Sequence, residues 1–331
     1  MQKHKYSFVI PVYNRPDEVT ELLDSIAELH STDEEIDFEV VIVEDGSTVP
    51  CKDVADRYAD KVAIQYFMKE KAGPSAAREY GVANASGDYI IFTDSDCILE
   101  PNYLVEVNKA VLAENLDVYG GPDNAHRTFS NMQKATNYAM TSFFTTGGIR
   151  NKKKSLGGKY YPRSFNLGLR KELFQQIGGF PPIHPGEDIE FTIKLFELNC
   201  KVGFIPNAIV FHKRRTSFAK FFRQVYKFGC ARIYLNRKFP ETKKLVYYLP
   251  AAFTAFTALF LLSTIVCKWA ITPLLLYALL VLIDATLRNR SIVIGAMSII
   301  ASFIQLLGYG SGFIKESICT IILGKEPSIN V

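Results

Sequence analysis

Short, almost wholly apolar runs alternate with amphipathic stretches over the first two thirds of the chain. Tyr6 to Val12, Phe38 to Val43, Ala63 to Phe67 and Tyr89 to Phe92 are rich in β-branched and aromatic residues and read as strands. Between them, Asp17 to Leu29, Asp53 to Tyr58 and a segment that opens at Gly73-Pro74-Ser75 and runs to about Ala85 read as helices. Strand and helix in alternation predict an α/β domain built on a mostly parallel, doubly wound sheet. Helices over Asn102 to Glu114, Lys171 to Ile177 and Ile189 to Leu198, and strands over Asp117 to Gly121, Phe165 to Arg170 and Val202 to Val210, extend the pattern. Pro122 to Pro162 has no clean period; Thr145-Thr146-Gly147-Gly148 and Lys152-Lys153-Lys154 fit a mobile flap or an ordinary surface excursion.

The pattern then changes. From Ser217, Phe218, Phe221, Phe222, Val225 and Phe228 recur at helical spacing with Lys220, Arg223, Lys227 and Arg232 among them. Lys201 to Lys244 holds twelve Lys/Arg against the single acid Glu241. A basic amphipathic helix lying on an anionic membrane surface explains this, as does packing under the preceding domain. Nucleic-acid binding would explain the charge but not the long apolar runs C-terminal to it. Val246 to Cys267 is a run of 22 residues without a charge, long enough to span a bilayer. Trp269 to Ile283 gives a second span, and Ser291 to Ile314 a looser third candidate containing Gly308-Tyr309-Gly310-Ser311-Gly312. The expected organisation is an α/β domain over 1–215, a basic interfacial helix over 216–244 and a membrane region over 245–331. Arg288-Asn289-Arg290 falls on the side of the α/β domain if two spans separate them, and basic loops face the cytoplasm. The expectation is therefore a multi-pass protein of the cytoplasmic membrane with its α/β domain inside.

Composition narrows the class without naming the chemistry. Of 331 residues 48% are hydrophobic and 22% charged, which excludes a disordered or fibrous chain. The six cysteines show no Cys-x-x-Cys spacing and read as reduced, packed thiols, and the first residues carry no apolar leader.

The chemistry lies where the strands stop. The run Tyr89 to Phe92 ends in Thr93-Asp94-Ser95-Asp96. On a continuing strand Asp94 and Asp96 would share a face and repel, unless a cation lies beside them. A divalent ion with phosphate oxygens in its remaining positions meets that need; simple turn capping is the alternative. Glu44-Asp45-Gly46-Ser47 and Tyr13-Asn14-Arg15 also close strands, and Gly73-Pro74-Ser75-Ala76-Ala77-Arg78 opens a helix. Each is ordinary turn chemistry alone, but together they line the carboxyl edge of one sheet, where open α/β sheets bind ligands. Glu187-Asp188 begins a further helix, where carboxylates are favoured by the dipole.

Four of these segments, Phe8-Val9-Ile10-Pro11-Val12-Tyr13-Asn14, Val41-Ile42-Val43-Glu44-Asp45-Gly46-Ser47, Gly73 to Arg78 and Gly87 to Asp96, resemble in order and spacing the family 2 glycosyltransferases, inverting enzymes of GT-A fold. The likeness covers about two thirds of the chain. It implies a nucleoside-diphosphate sugar as donor and Mn or Mg as divalent metal, while the membrane anchoring points to a lipid-linked or glycan acceptor at the cytoplasmic face. By that resemblance Pro11, Tyr13 and Glu44 or Asp45 hold base and ribose, Arg78 lies near the diphosphate, Asp94 binds the sugar, and Asn14, Gly73 and Ser95 belong to the same nucleotide-sugar site. Asp94, Asp96 and, in many such enzymes, His212 complete the metal site; Asp188 is the general base, with Glu187 and Asn166 on the acceptor side. Processive synthases of the family carry Gln-x-x-Arg-Trp, whereas Gln224 here is followed by Lys227-Phe228, which favours one sugar per encounter. Transfer directly to polyprenyl phosphate is the neighbouring alternative. A catalytically silent nucleotide-binding subunit at the membrane is an alternative of another class, opposed by the intact Asp94, Asp96 and Asp188.

Overall fold

The structure, a computed structural model, describes residues 4–31, 36–149 and 159–327; Lys152-Lys153-Lys154 lies outside them. Its strands are β1 (Tyr6–Val12), β2 (Phe38–Asp45), β3 (Ile64–Lys69), β4 (Tyr89–Phe92), β5 (Cys97–Leu99), β6 (Val118–Gly120), β7 (Asp123–Asn124), β8 (Leu167–Arg170), β9 (Val202–Phe204) and β10 (Val210–His212). Its helices begin with α1 (Pro16–Ala27), α2 (Lys52–Tyr58), α3 (Pro74–Asn84), α4 (Tyr103–Glu114), α5 (Asn131–Thr141) and α6 (Phe143–Thr146). They continue with α7 (Lys171–Ile177), α8 (Glu187–Glu197), α9 (Phe218–Lys238), α10 (Leu249–Ser263), α11 (Thr272–Asn289) and α12 (Ile292–Ser317).

The chain divides into two compact units, one of Met1–His126, Tyr161–Pro182 and Glu187–Lys213, the other of Arg127–Tyr160, Ile183–Gly186 and Arg214–Val331. In this division 127–160 goes with the C-terminal helices.

The first unit is built on a seven-stranded sheet in the order β3-β2-β1-β4-β8-β6-β9. β3, β2, β1 and β4 pair parallel, as the alternation of strand and helix requires. β8 runs antiparallel to both its neighbours, β4 and β6, and β6 pairs parallel with β9. Both faces are buried, and the period of two sorts the side chains between them. Tyr6, Phe8 and Ile10 of β1 join Val40 and Ile42 of β2 and residues of α1, α2 and α4 in one core. Val9, Val41, Val43, Ile90 and Phe92 face α3, α7 and α8 in the other. The stretch 202–210, read as one strand, is two: β9 ends the large sheet, and β10 joins a second sheet in the order β5-β10-β7. That small sheet holds His212 opposite Cys97, next to Asp96.

Gly168 of β8 sits against Tyr119 of β6, where a Cβ would come within 2.0 Å of the fully buried Tyr119 ring. Gly168→Ala is expected to destabilise this unit by about 1–3 kcal/mol, because a packed ring must shift to admit one methyl. A lowered melting temperature of the purified protein checks it.

In the second unit α12 packs against α5, α9, α10 and α11. The run 308–312, read as a loosening, is instead uninterrupted helix. Its small residues are what permit close approach. A Cβ on Gly308 would strike Val225 of α9, one on Gly312 the Tyr226 carbonyl, and one on Gly310 Thr254 and Pro250 of α10. The apolar face of α9 is covered in the same way, with Phe221 and Val225 buried in a cluster with Ala135, Met140, Ile294 and Ala301. The apolar positions of the pattern pack between helices, and Lys220, Arg223 and Lys227 form the exposed side.

Two helical segments, Lys268–Asn289 and Ile292–Ile322, are long and apolar enough to cross a membrane. The first apolar run, read as a 22-residue span, forms a helix of only 15 residues, Leu249–Ser263. At about 1.5 Å per residue it reaches roughly 22 Å, short of a hydrocarbon core of about 30 Å.

Candidate active site

The carboxyl ends of β1, β2 and β4 present three loops, and the polar side chains on them are sorted by what holds them. In the β1–α1 loop Asn14 adopts φ 54°, a left-handed conformation that Asn tolerates. Its Oδ1 accepts from the backbone N–H groups of Thr48 (2.8 Å) and Val49 (2.9 Å), and its own N–H donates to Ser47 Oγ at 2.9 Å. Asn14 thus ties two loops together. Tyr13 beside it is 42% exposed, with Lys71 Nζ 4.0 Å from its ring centre. Pro11 is the only partly exposed residue of β1.

Glu44 and Asp45, expected at the base and ribose, are both buried and engaged within the protein. Glu44 accepts from Cys51 N at 2.6 Å and from Ser47 Oγ. Asp45 accepts from Ala72 N (2.8 Å), Gly73 N (2.7 Å) and Lys69 Nζ (3.0 Å). Their carboxylates shape the loops on which Ser47 and Gly73 stand. Gly73 has φ 93° and no atom within 4 Å of where a Cβ would be, so its place in the loop is set by backbone conformation and not by crowding.

Beyond Phe92 the chain leaves the strand, so Asp94 and Asp96 do not share a strand face; each meets a different cation. Asp94 Oδ1 accepts from Arg78 Nη2 at 2.7 Å. Asp96 Oδ2 accepts from Arg15 Nη1 at 2.5 Å, and its Oδ1 lies 3.1 Å from His212 Nε2. Burial alone would push the Asp96 carboxyl up, but His212 and Arg15 outweigh it and hold Asp96 well below the usual carboxylate range. The His212 ring is stacked on Phe165 at 4.4 Å. Ser95 between the two acids is buried.

Arg78 is the least satisfied group of the site. It is 3% exposed; Nη2 also reaches Ser164 Oγ at 3.3 Å, yet Nε and Nη1 are buried with no hydrogen-bond partner among the described residues. Buried donors are nearly always paired, so a pair of orphans on one guanidinium marks a place where an acceptor belongs.

Asp96, Cys97 and His212 each offer a ligand atom within 4.8 Å of the others. Carboxylate oxygen and imidazole nitrogen suit a divalent ion such as Mn²⁺, whereas the buried Cys97 thiol is a softer donor than Mg²⁺ or Mn²⁺ prefers. The donor set fits such an ion through Asp96 and His212, with Asp94 held apart on Arg78. Arg15, to which the sequence motifs assign no role, already neutralises Asp96; its one signal is a cation in the loop after β1.

Asp188 stands in the first turn of α8. Its Oδ1 accepts from Ile189 N at 2.8 Å, and Oδ2 faces Arg163 Nη1 at 3.4 Å. Glu187 is 6% exposed. Asn166 immediately precedes β8. It is fully buried, accepts from Tyr103 Oη at 2.9 Å and donates to the Ala208 carbonyl at 2.9 Å. Its amide joins the start of β8 to α4 and to the chain before β10.

Comparison with known proteins agrees with this architecture. The model of the family described as Glycosyl transferase family 2 matches residues 7–178, just over half of the 331-residue chain. Glycosyltransferase AglE of Haloferax volcanii is 25% identical over 231 residues, 69% of this chain and 72% of that protein. A cholesterol galactosyltransferase of Borreliella burgdorferi is 26% identical over 222 residues, 62% of this chain and 59% of that one. A Rickettsia felis protein named an uncharacterized glycosyltransferase is 31% identical over 148 residues, 44% of this chain, and the match spans 23% of that relative's length. Among solved structures, the mannosyltransferase PcManGT from Pyrobaculum calidifontis, in complex with GDP-Man and Mn²⁺, aligns with a TM-score of 0.63 over 92% of this chain and 88% of that one. At 16% identity this is a likeness of fold. The α/β unit with its mostly parallel sheet has the GT-A-like architecture, and the chain belongs to glycosyl transferase family 2.

Proposed function

We propose that the protein transfers a single sugar, with inversion, from a nucleoside-diphosphate sugar to an acceptor carried on a lipid at the cytoplasmic face of a membrane. The observation that carries this reading is the buried Arg78 guanidinium beside Asp94 at the end of β4, two of whose donors have no partner among the described residues. A diphosphate supplies the oxyanions those donors lack, and its charge grows as the sugar departs. Tyr13, exposed and backed by Lys71, offers a face for the base. Asp96 and His212 would hold the divalent ion, which when bound draws negative charge off the leaving diphosphate. Asp188 takes the proton of the attacking hydroxyl, while Arg163 keeps its second oxygen oriented. The GDP-Man and Mn²⁺ bound by the Pyrobaculum mannosyltransferase support a nucleotide-sugar donor and a metal.

The lipid acceptor rests on the apolar exterior of the helical unit. Leu262, Ile265, Val266, Trp269, Leu276 and Leu287 are all more than 60% exposed, a surface no soluble monomer leaves bare. The galactosyltransferase relative from Borreliella, whose named acceptor is cholesterol, is consistent with a lipid substrate.

Nucleotide release from UDP-, GDP- and dTDP-sugars by the purified protein in nanodiscs tests the reading. Release from one donor is expected, boosted by lipid extract and lost on chelation of divalent ions, with recovery on adding Mn²⁺ or Mg²⁺. Donor binding without release under any acceptor would instead support the silent nucleotide-binding subunit.

A further inference from the structure

The helical unit contains a second buried guanidinium in want of an acceptor. Arg232 of α9 is 7% exposed, and its Nη1 has no hydrogen-bond partner among the described residues. Its Cζ lies 3.9 Å from the centre of the Tyr247 ring, so an aromatic face covers one side of the cation. One turn on, at the position that shares its side of the helix, Asn236 is 4% exposed, and neither Nδ2 nor Oδ1 has a partner among the described residues. A buried cation and a buried amide, adjacent and both unsatisfied, are costly to keep. Burial, and after it the nearby charges of Arg232 and Lys159, lower the pKa of Lys244.

We propose that Arg232 and Asn236 bind a phosphate group, with Lys244 as the third contact and Tyr247 as the wall. Phosphate matches all three. Its oxygens accept from Nη1 of Arg232, from Nδ2 of Asn236 and from the Lys244 ammonium, and a P–OH supplies the proton that Asn236 Oδ1 lacks. The site runs from the last turns of α9 to the segment just before the apolar helix α10, so a phosphate on a hydrocarbon chain is one source and a free phosphate the other. This deepens the proposed reaction by giving a phosphate-bearing lipid a seat, and it rests on that reading only for what carries the phosphate.

Binding is read without any donor sugar, so its failure is separate from a failure of transfer. The full-length protein in dodecyl maltoside is melted while dodecyl phosphate or inorganic phosphate is titrated. Dodecyl phosphate is expected to raise the melting temperature of the wild type, because a ligand of the folded state alone stabilises it. Arg232→Met is expected to be no less stable without ligand, and to need about tenfold more dodecyl phosphate for the same shift, the equivalent of one charge-assisted hydrogen bond. Lys244→Met, at a half-exposed position, should shift the titration the same way and serves if Arg232→Met does not fold. An equal response to inorganic phosphate identifies a free phosphate as the ligand, and a response to dodecyl phosphate alone identifies the lipid headgroup. A wild type that responds to neither, or variants that titrate as the wild type does, overturns the proposal.

Discussion

Asp188→Asn is expected to lower turnover of the nucleotide sugar by about 10²- to 10⁴-fold, the range a positioned general base contributes, with little change in donor KM. The substitution is close to silent structurally. The amide oxygen still accepts from Ile189 N at the start of α8, so the helix keeps its first turn. What is lost is the capacity to take a proton, and the charge opposite Arg163 at 3.4 Å. An unaltered melting temperature together with the lost rate would separate this from unfolding. Unchanged turnover would remove Asp188 from the reaction and turn attention to Glu187, its buried neighbour.

The range of the forces involved decides how much of the fold and the site is legible in the sequence. β1, β2 and β4 can be read because each carries its own burial on both faces, and the β-branched run is a local signal. The antiparallel placement of β8 cannot, since pairing between Phe92 and Leu167 is decided by partners far apart in the chain. Helix α5 is hidden in the aperiodic stretch: its capping box, Ser130 with Gln133, is local, but its apolar side is defined by α9 and α12. Glycine misleads in α12, because a helix breaker in water is a packing surface where two helices touch. The site residues divide similarly. Asp94, Asp96 and Arg78 stand out because acid and guanidinium at a strand end are conspicuous. The engagement of Glu44, Asp45 and Asn166 is invisible because their partners are largely backbone groups, which every residue type possesses. Arg15 escapes notice for a related reason: its partner is Asp96, 81 residues along the chain.

Arg78→Met is expected to cut kcat/KM for the donor by about a hundredfold or more while the melting temperature holds or rises. Two charge-assisted hydrogen bonds to a phosphate oxygen are worth about 1.5–3 kcal/mol each, and a loss near 3 kcal/mol is already more than a hundredfold. The stability side has the opposite sign. Nε and Nη1 are buried without acceptors among the described residues, and removing unsatisfied donors from an interior relieves a cost. Asp94 loses its partner, but its side chain is 28% exposed and water can take up the charge. Methionine also keeps a flexible, similarly long chain against Phe180, whose ring lies 5.3 Å from the guanidinium. Arg78→Lys should rescue little, because a single ammonium cannot serve Asp94 and a diphosphate from the two sides of a planar fork. Steady-state kinetics and melting curves of both variants decide the matter. A protein that loses several degrees of melting temperature but keeps kcat/KM would make Arg78 a structural partner of Asp94 and Ser164, and the donor's diphosphate would then have to be held elsewhere in the site.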